Sequence, residues 1–215
     1  MQTLLNTPHE IIQQNILGAA AKAKTRILNI LVLGMMAGSF IAMGAQSSSL
    51  AVHNISNIGL ARTLAGCIFP VGLMMIVFVG GELFTGDCMM SMAWMQRKIH
   101  FADMLRTLVL VYVSNFVGAA LIAFLVAHSG EYDYSSGALG AYTIKVAYGK
   151  VHLSFANALV SGILCNILVC VAVLMAAAAK DIAGKVLAIF FPILAFVVSG
   201  FEHCVANMYY IPAGI

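Results

Sequence analysis

Phe196-Val-Val-Ser-Gly-Phe-Glu-His-Cys-Val-Ala-Asn-Met208 sets a carboxylate and an imidazole, Glu202 and His203, inside an otherwise apolar run. Ionisable groups at membrane depth are costly and mark transport pathways. A second interrupted run lies upstream, where Val77-Phe-Val-Gly-Gly-Glu-Leu-Phe-Thr-Gly-Asp87 breaks its apolar character with glycines, a threonine and two acids. Paired broken helices in corresponding halves of a membrane chain point to a substrate path between them.

The remaining composition agrees with a membrane protein. The 215 residues are 62% hydrophobic and 9% charged, against roughly 25% charged residues in soluble domains. The mean hydropathy is +0.98. The apolar runs are near-continuous and about 20 residues long, the length of a spanning helix. They lack the roughly 10-residue alternation of membrane strands, so the fold class is an all-α bundle in lipid. A formal charge of +3, scattered along the chain, leaves no basic footprint for nucleic acid. The five cysteines (Cys67, Cys88, Cys165, Cys170 and Cys204) show no metal-ligand spacing and read as small buried hydrophobes. The first 20 residues lack the compact apolar core of a cleavable leader.

Residues 1–26 form an N-terminal unit in which Ile11, Ile12, Ile16 and Leu17 repeat at helical spacing, the pattern of an amphipathic helix on the membrane surface. Residues 27–215 form the transmembrane unit, with spans at about 27–45, 64–95 (broken), 105–127, 153–179 and 186–215 (broken). Gly34 and Gly38 in the first span have the spacing of a close helix contact. Residues 128–150 read as a loop, which places Lys150 at the outer end of the fourth span, in one helix with Asn166. The two halves share an order of intact span, broken span and closing span, so a sixth helix is expected after Ile215 as the partner of the Asn115 helix. Eight Lys and Arg flank one side of this arrangement, and Arg62, Lys145 and Lys150 the other. The positive-inside rule then predicts a multi-pass protein of the cell's inner (plasma) membrane with its N-terminus in the cytoplasm.

Gly-Gly-Glu-Leu-Phe-Thr-Gly-Asp at 80–87, Ser-Asn-Phe-Val-Gly-Ala at 114–119, Gly-Ile-Leu-Cys-Asn-Ile-Leu-Val-Cys at 162–170 and Gly-Phe-Glu-His-Cys-Val-Ala-Asn-Met at 200–208 occur in that order. Together they resemble the formate/nitrite transporter family over nearly the whole chain. The resemblance implies an aquaporin-like bundle of six spans with two broken helices, assembled as a homopentamer with one pore per subunit. It implies small monovalent weak-acid anions as substrates: formate first, then nitrite or hydrosulfide, with lactate also in the family's range. It implies no cofactor.

The resemblance also gives roles to single residues. His203 is the central titratable group, either donating a hydrogen bond to the anion or relaying a proton from water. Thr85 faces it across the pore or caps the half-helix that follows, a cap for which Asp87 is better placed. Glu202 holds the imidazole's other nitrogen or satisfies loop amides. Lys150 draws the anion into the outer vestibule, and Asn166 bonds the broken loop or the substrate. Phe69, Leu73 and Phe196, with Leu83, Phe84 and Val169, match the apolar constrictions.

Other classes fit less well. A neutral-solute channel of aquaporin type carries paired Asn-Pro-Ala loops, where this chain has Ala-Asn-Met and Phe-Thr-Gly-Asp. An intramembrane enzyme needs a nucleophile facing a base, and His203 with Cys204 are chain neighbours that point apart. A metal transporter needs His, Asp or Met ligands on facing helices, and the sequence groups none.

Overall fold

A computed structural model describes residues 5–215. The chain is helical: α1 (Pro8–Lys22), α2 (Ile27–Val52), α3 (Ile58–Ile68), α4 (Val71–Val79), α5 (Phe84–Asp87), α6 (Met90–Met95), α7 (Phe101–Ala127), α8 (Ala138–Val151), α9 (Phe155–Ala178), α10 (Ile182–Ser199) and α11 (Cys204–Ala213). Five stretches are long and apolar enough to cross a bilayer: α2, α3 with α4 (Ile58–Val79), α7, α9 and α10.

Both interrupted runs break in the same way. Gly80 ends α4 with φ +106° and Gly200 ends α10 with φ +73°. A side chain at either position would be strained, so glycine is what lets each helix stop there. Three residues follow in each case, and a second helix starts at Phe84 or Cys204. Glu82 and Glu202 therefore occupy matching places, as do Leu83 and His203, the residues preceding α5 and α11. Each break also receives a lysine from the last turn of a short helix, Lys22 of α1 for Glu82 and Lys150 of α8 for Glu202. The repeat thus includes the two surface helices, α1 before α2 and α8 before α9.

Open backbone at membrane depth must be satisfied by protein. Asn115 of α7 does this at the first break. Its Nδ2 donates to the carbonyls of Gly34 and Glu82, both at 2.8 Å, and its Oδ1 accepts from the Phe84 N–H at 3.0 Å. It is fully buried. That reach depends on α2 and α7 touching backbone to backbone. A methyl group on Gly38 would strike the backbone of Asn115, and one on Gly118 would strike that of Met35. At the second break, Ser161 Oγ accepts from the Glu202 N–H at 2.9 Å, and the Phe201 N–H donates to the Phe196 carbonyl at 3.2 Å.

Five sequence-based boundaries differ, among them the second span, which starts at Ile58, and the fifth, which starts at Ile182. The first span runs on to Val52, and the third starts at Phe101. The stretch after His128 is not a plain loop, because residues 138–151 form α8, which buries Leu139, Thr143 and Ala147 at four-residue spacing. Lys150 consequently belongs to α8, and Asn166 to α9, a separate helix. The N-terminal helix is present as α1, capped by a reciprocal Thr7–Glu10 box, with Ile16 and Ala19 packed on Met90 and Ala93 of α6.

Candidate functional site

The two breaks meet where Thr85 faces His203. The ring is nearly enclosed, at 4% exposure, and Thr85 at 3%. His203 serves as the N-cap of α11, its Nδ1 accepting the Ala206 N–H at 3.1 Å. Nδ1 is thereby occupied as an acceptor, so the ring's own hydrogen sits on Nε2. Nε2 lies 3.5 Å from Thr85 Oγ1. The cap therefore decides which nitrogen, with its proton, is aimed across the molecule.

Two cavities end on this ring. One, of about 440 Å³, opens at the Lys150 end between α3, α8 and the second break, and its floor is Phe69, Phe196 and His203. The other, of about 590 Å³, lies along α9 and includes Thr85, Cys88, Asn166, Cys170 and His203. Phe69 and Phe196 pack edge to face with centroids 5.5 Å apart, and Phe196 stacks on the imidazole at 5.7 Å. Leu73, Leu83 and Val169 are buried in the same apolar cluster, with Phe84 half-buried against it. A polar pair is thus walled by rings and branched aliphatics.

At the mouth of the first cavity, Lys150 Nζ reaches both oxygens of Glu202, at 2.7 and 2.8 Å, and Asn207 Nδ2 donates to the same carboxylate at 2.8 Å. Glu202 therefore contacts neither the second nitrogen of His203 nor a loop amide. At the opposite end, Lys22 engages the carboxylates of both Glu82 and Asp87. Asp87 is the last residue of α5 and caps no helix. Thr85 likewise caps nothing; the start of α5 is held by Asn115. Asn166 Oδ1 is buried beside the second cavity with no hydrogen-bond partner among the described residues.

The model of a family described as "Formate/nitrite transporter" matches residues 9–215. The chain belongs to the formate/nitrite transporter family. It is 38% identical to "Formate channel BtFdhC" of Bacillus thuringiensis, across 97% of this chain and 81% of that one. Among solved structures it resembles an "FNT family ion channel" with TM-score 0.86 and 27% identity, covering 95% of this chain and 82% of that one. It also resembles a "Pentameric formate channel with formate bound", with TM-score 0.78 and 30% identity, over 87% and 74% of the two chains.

In this member of the family the structure brings His203 and Thr85 together and sets Phe69 and Phe196 against the imidazole, while Lys150 and Glu202 are joined to each other at the mouth of the first cavity. Asn166 stands apart, its amide oxygen open toward the second cavity. Three sets of contacts were not assigned from the chain. Asn115 was legible as part of a motif but not as the group that holds the first break. Lys22 meets Asp87 from 65 residues away, and Tyr209 donates to Gln46, which donates in turn to Glu131. Contacts at such separations have no local sequence pattern.

Proposed function

We propose that the chain forms a membrane channel for small monovalent weak-acid anions, formate foremost, which pass its constriction as the neutral acid. An anion stripped of water in an apolar passage faces a Born penalty on the order of tens of kcal/mol. Protonating a carboxylate of pKa about 4 at pH 7 costs roughly 4 kcal/mol, at about 1.36 per unit. The neutral route wins by a wide margin. The observation that carries this reading is the position of His203, enclosed by Phe69 and Phe196 yet bordering both cavities. Its Nε2–H and the Thr85 hydroxyl bind the arriving carboxylate, and together they form the relay by which a proton from cavity water reaches it. The unpartnered Asn166 oxygen then accepts the O–H of the newly formed acid.

Lys150 adds an ammonium to the wall of the outer vestibule while its pairing with Glu202 holds the second break in place. Leu83, Phe84, Leu73 and Val169 complete the apolar barrier to water and ions. Support for a homopentamer comes from the pentameric relative and from α9, of whose apolar window only 17% is buried within one subunit. A helix so little covered needs lipid or a neighbouring copy around it. In the plasma membrane, the Lys22 end faces the cytoplasm.

The test is flux into proteoliposomes of formate, nitrite and hydrosulfide at pH 5.5 and pH 7.5, for the native chain and for His203→Asn. The native chain should carry formate fastest, with a pH dependence that the variant loses. Equal pH dependence in the two proteins would remove His203 from the proton path.

A further inference from the structure

The vestibule at the Lys150 end holds more positive charge than its ion pair uses. Arg62, Lys145 and Lys150 line it, with Glu202 as its one carboxylate among the described residues. Lys150 and Glu202 cancel each other. Arg62 and Lys145 are exposed, and neither makes a hydrogen bond or ion pair among the described residues. They stand on two converging helix faces. Arg62 shares a stripe of α3 with Ala65 and Phe69, while Lys145 shares one of α8 with Tyr142 and Gly149.

Arg62 has a built seat. Its Cζ, Nη1 and Nη2 all lie 3.3 Å from where a Cβ on Gly200 would stand. Three equal distances mean that the flat face of the guanidinium covers that glycine and its edge is left free. Gly200 closes α10, whose terminal carbonyls carry the negative end of the helix dipole and suit a cation there. The same glycine that ends the helix thus leaves room for the arginine. Phe69, the cap of α3, follows Arg62 by seven residues, a backbone rise of about 10 Å, so the arginine stands in the vestibule above the Phe69 and Phe196 rings.

We propose that Arg62 is the first binding group for the incoming anion, and that it selects planar anions with two oxygens, such as formate and nitrite, through its guanidinium fork. Lys145 adds charge without shape. An arginine fork matches two oxygens by paired N–H donors, which a compact ammonium cannot do. Hydrosulfide offers no such pair of acceptors and feels only the field. The proposal rests on the reading that this chain conducts weak-acid anions and adds a selectivity step before the gate.

The experiment measures half-saturation of influx through the Lys150 end in proteoliposomes, for the native protein, Arg62→Gln and Arg62→Lys, at low and high ionic strength. Arg62→Gln is expected to raise the half-saturation for formate and nitrite about ten-fold at low salt, with a smaller difference at high salt where charge is screened. Arg62→Lys keeps the field, so hydrosulfide should stay near its native value while formate and nitrite still weaken. The residue is exposed, and both variants should retain the native assembly on size exclusion. An unchanged formate half-saturation in Arg62→Gln at low salt overturns the capture site and leaves the channel reading standing. Equal weakening of all three anions in Arg62→Lys overturns the fork. A native protein that moves none of the three anions overturns both the channel reading and this proposal.

Discussion

Lys150 grips both oxygens of Glu202, at 2.7 and 2.8 Å, in the place where Lys22 grips Glu82 at the other break. Each half of the chain therefore anchors its broken loop to a short surface helix by one ion pair. The side chains of Lys150 and Glu202 are 20% and 13% exposed, enough for partial screening by water. Removing one partner of a fully buried pair costs about 3–5 kcal/mol, and the partial exposure here lowers that to roughly 2 kcal/mol. Lys150→Ala should lower the unfolding midpoint in detergent and raise the half-saturation for formate, whereas Arg62→Gln should alter only the second. An unaltered midpoint in Lys150→Ala would deny the anchoring role.

Thr85 Oγ1 and His203 Nε2 face each other at 3.5 Å, and both residues are buried. Thr85→Val keeps the volume and removes the hydroxyl. Formate flux should fall by about ten-fold, the equivalent of a lost hydrogen bond of about 1.4 kcal/mol in the barrier, with assembly unchanged. Native flux in this variant would mean that the hydroxyl takes no part in binding the anion.

Asn115 satisfies three backbone groups of the first break region. Asn115→Ala takes this partner from the Glu82 carbonyl and the Phe84 N–H, neither of which lies inside a helix ladder, at a cost on the order of 3 kcal/mol. The protein should lose thermal stability and yield, and Gly38→Leu, which forces α2 off α7, should do the same. Thermal unfolding of the purified protein reads both.

Charge asymmetry predicts a cytoplasmic N-terminus. An epitope tag at residue 1 should resist protease added to intact cells and be cut once the membrane is opened. Cleavage in intact cells would invert the topology.

Much of this architecture was legible because its causes are local. Glycines and acids interrupting apolar runs announced both breaks, whereas Phe69, Leu73 and Phe196 stood out only through the family resemblance, since Phe and Leu on helices are ordinarily core. Helix α8 was hidden, because its buried positions are Leu139, Thr143 and Ala147, too small and mixed to stand out from a charged loop. That one omission moved Lys150 onto the wrong helix. The pairing of Glu202 with Lys150, and the use of Nδ1 of His203 as a cap, depend on how two distant segments fold against each other. Gly200 shows the limit most clearly: its positive φ follows from a helix stop, but its contact with Arg62 does not.

Neutral passage is tested most directly by following internal pH in liposomes while formate enters under a clamped membrane potential. One proton should arrive with each formate, so that the lumen acidifies at a rate equal to formate uptake and indifferent to the potential. Formate entry that leaves internal pH unchanged and follows the potential would mean that the bare anion crosses the constriction, contradicting the account.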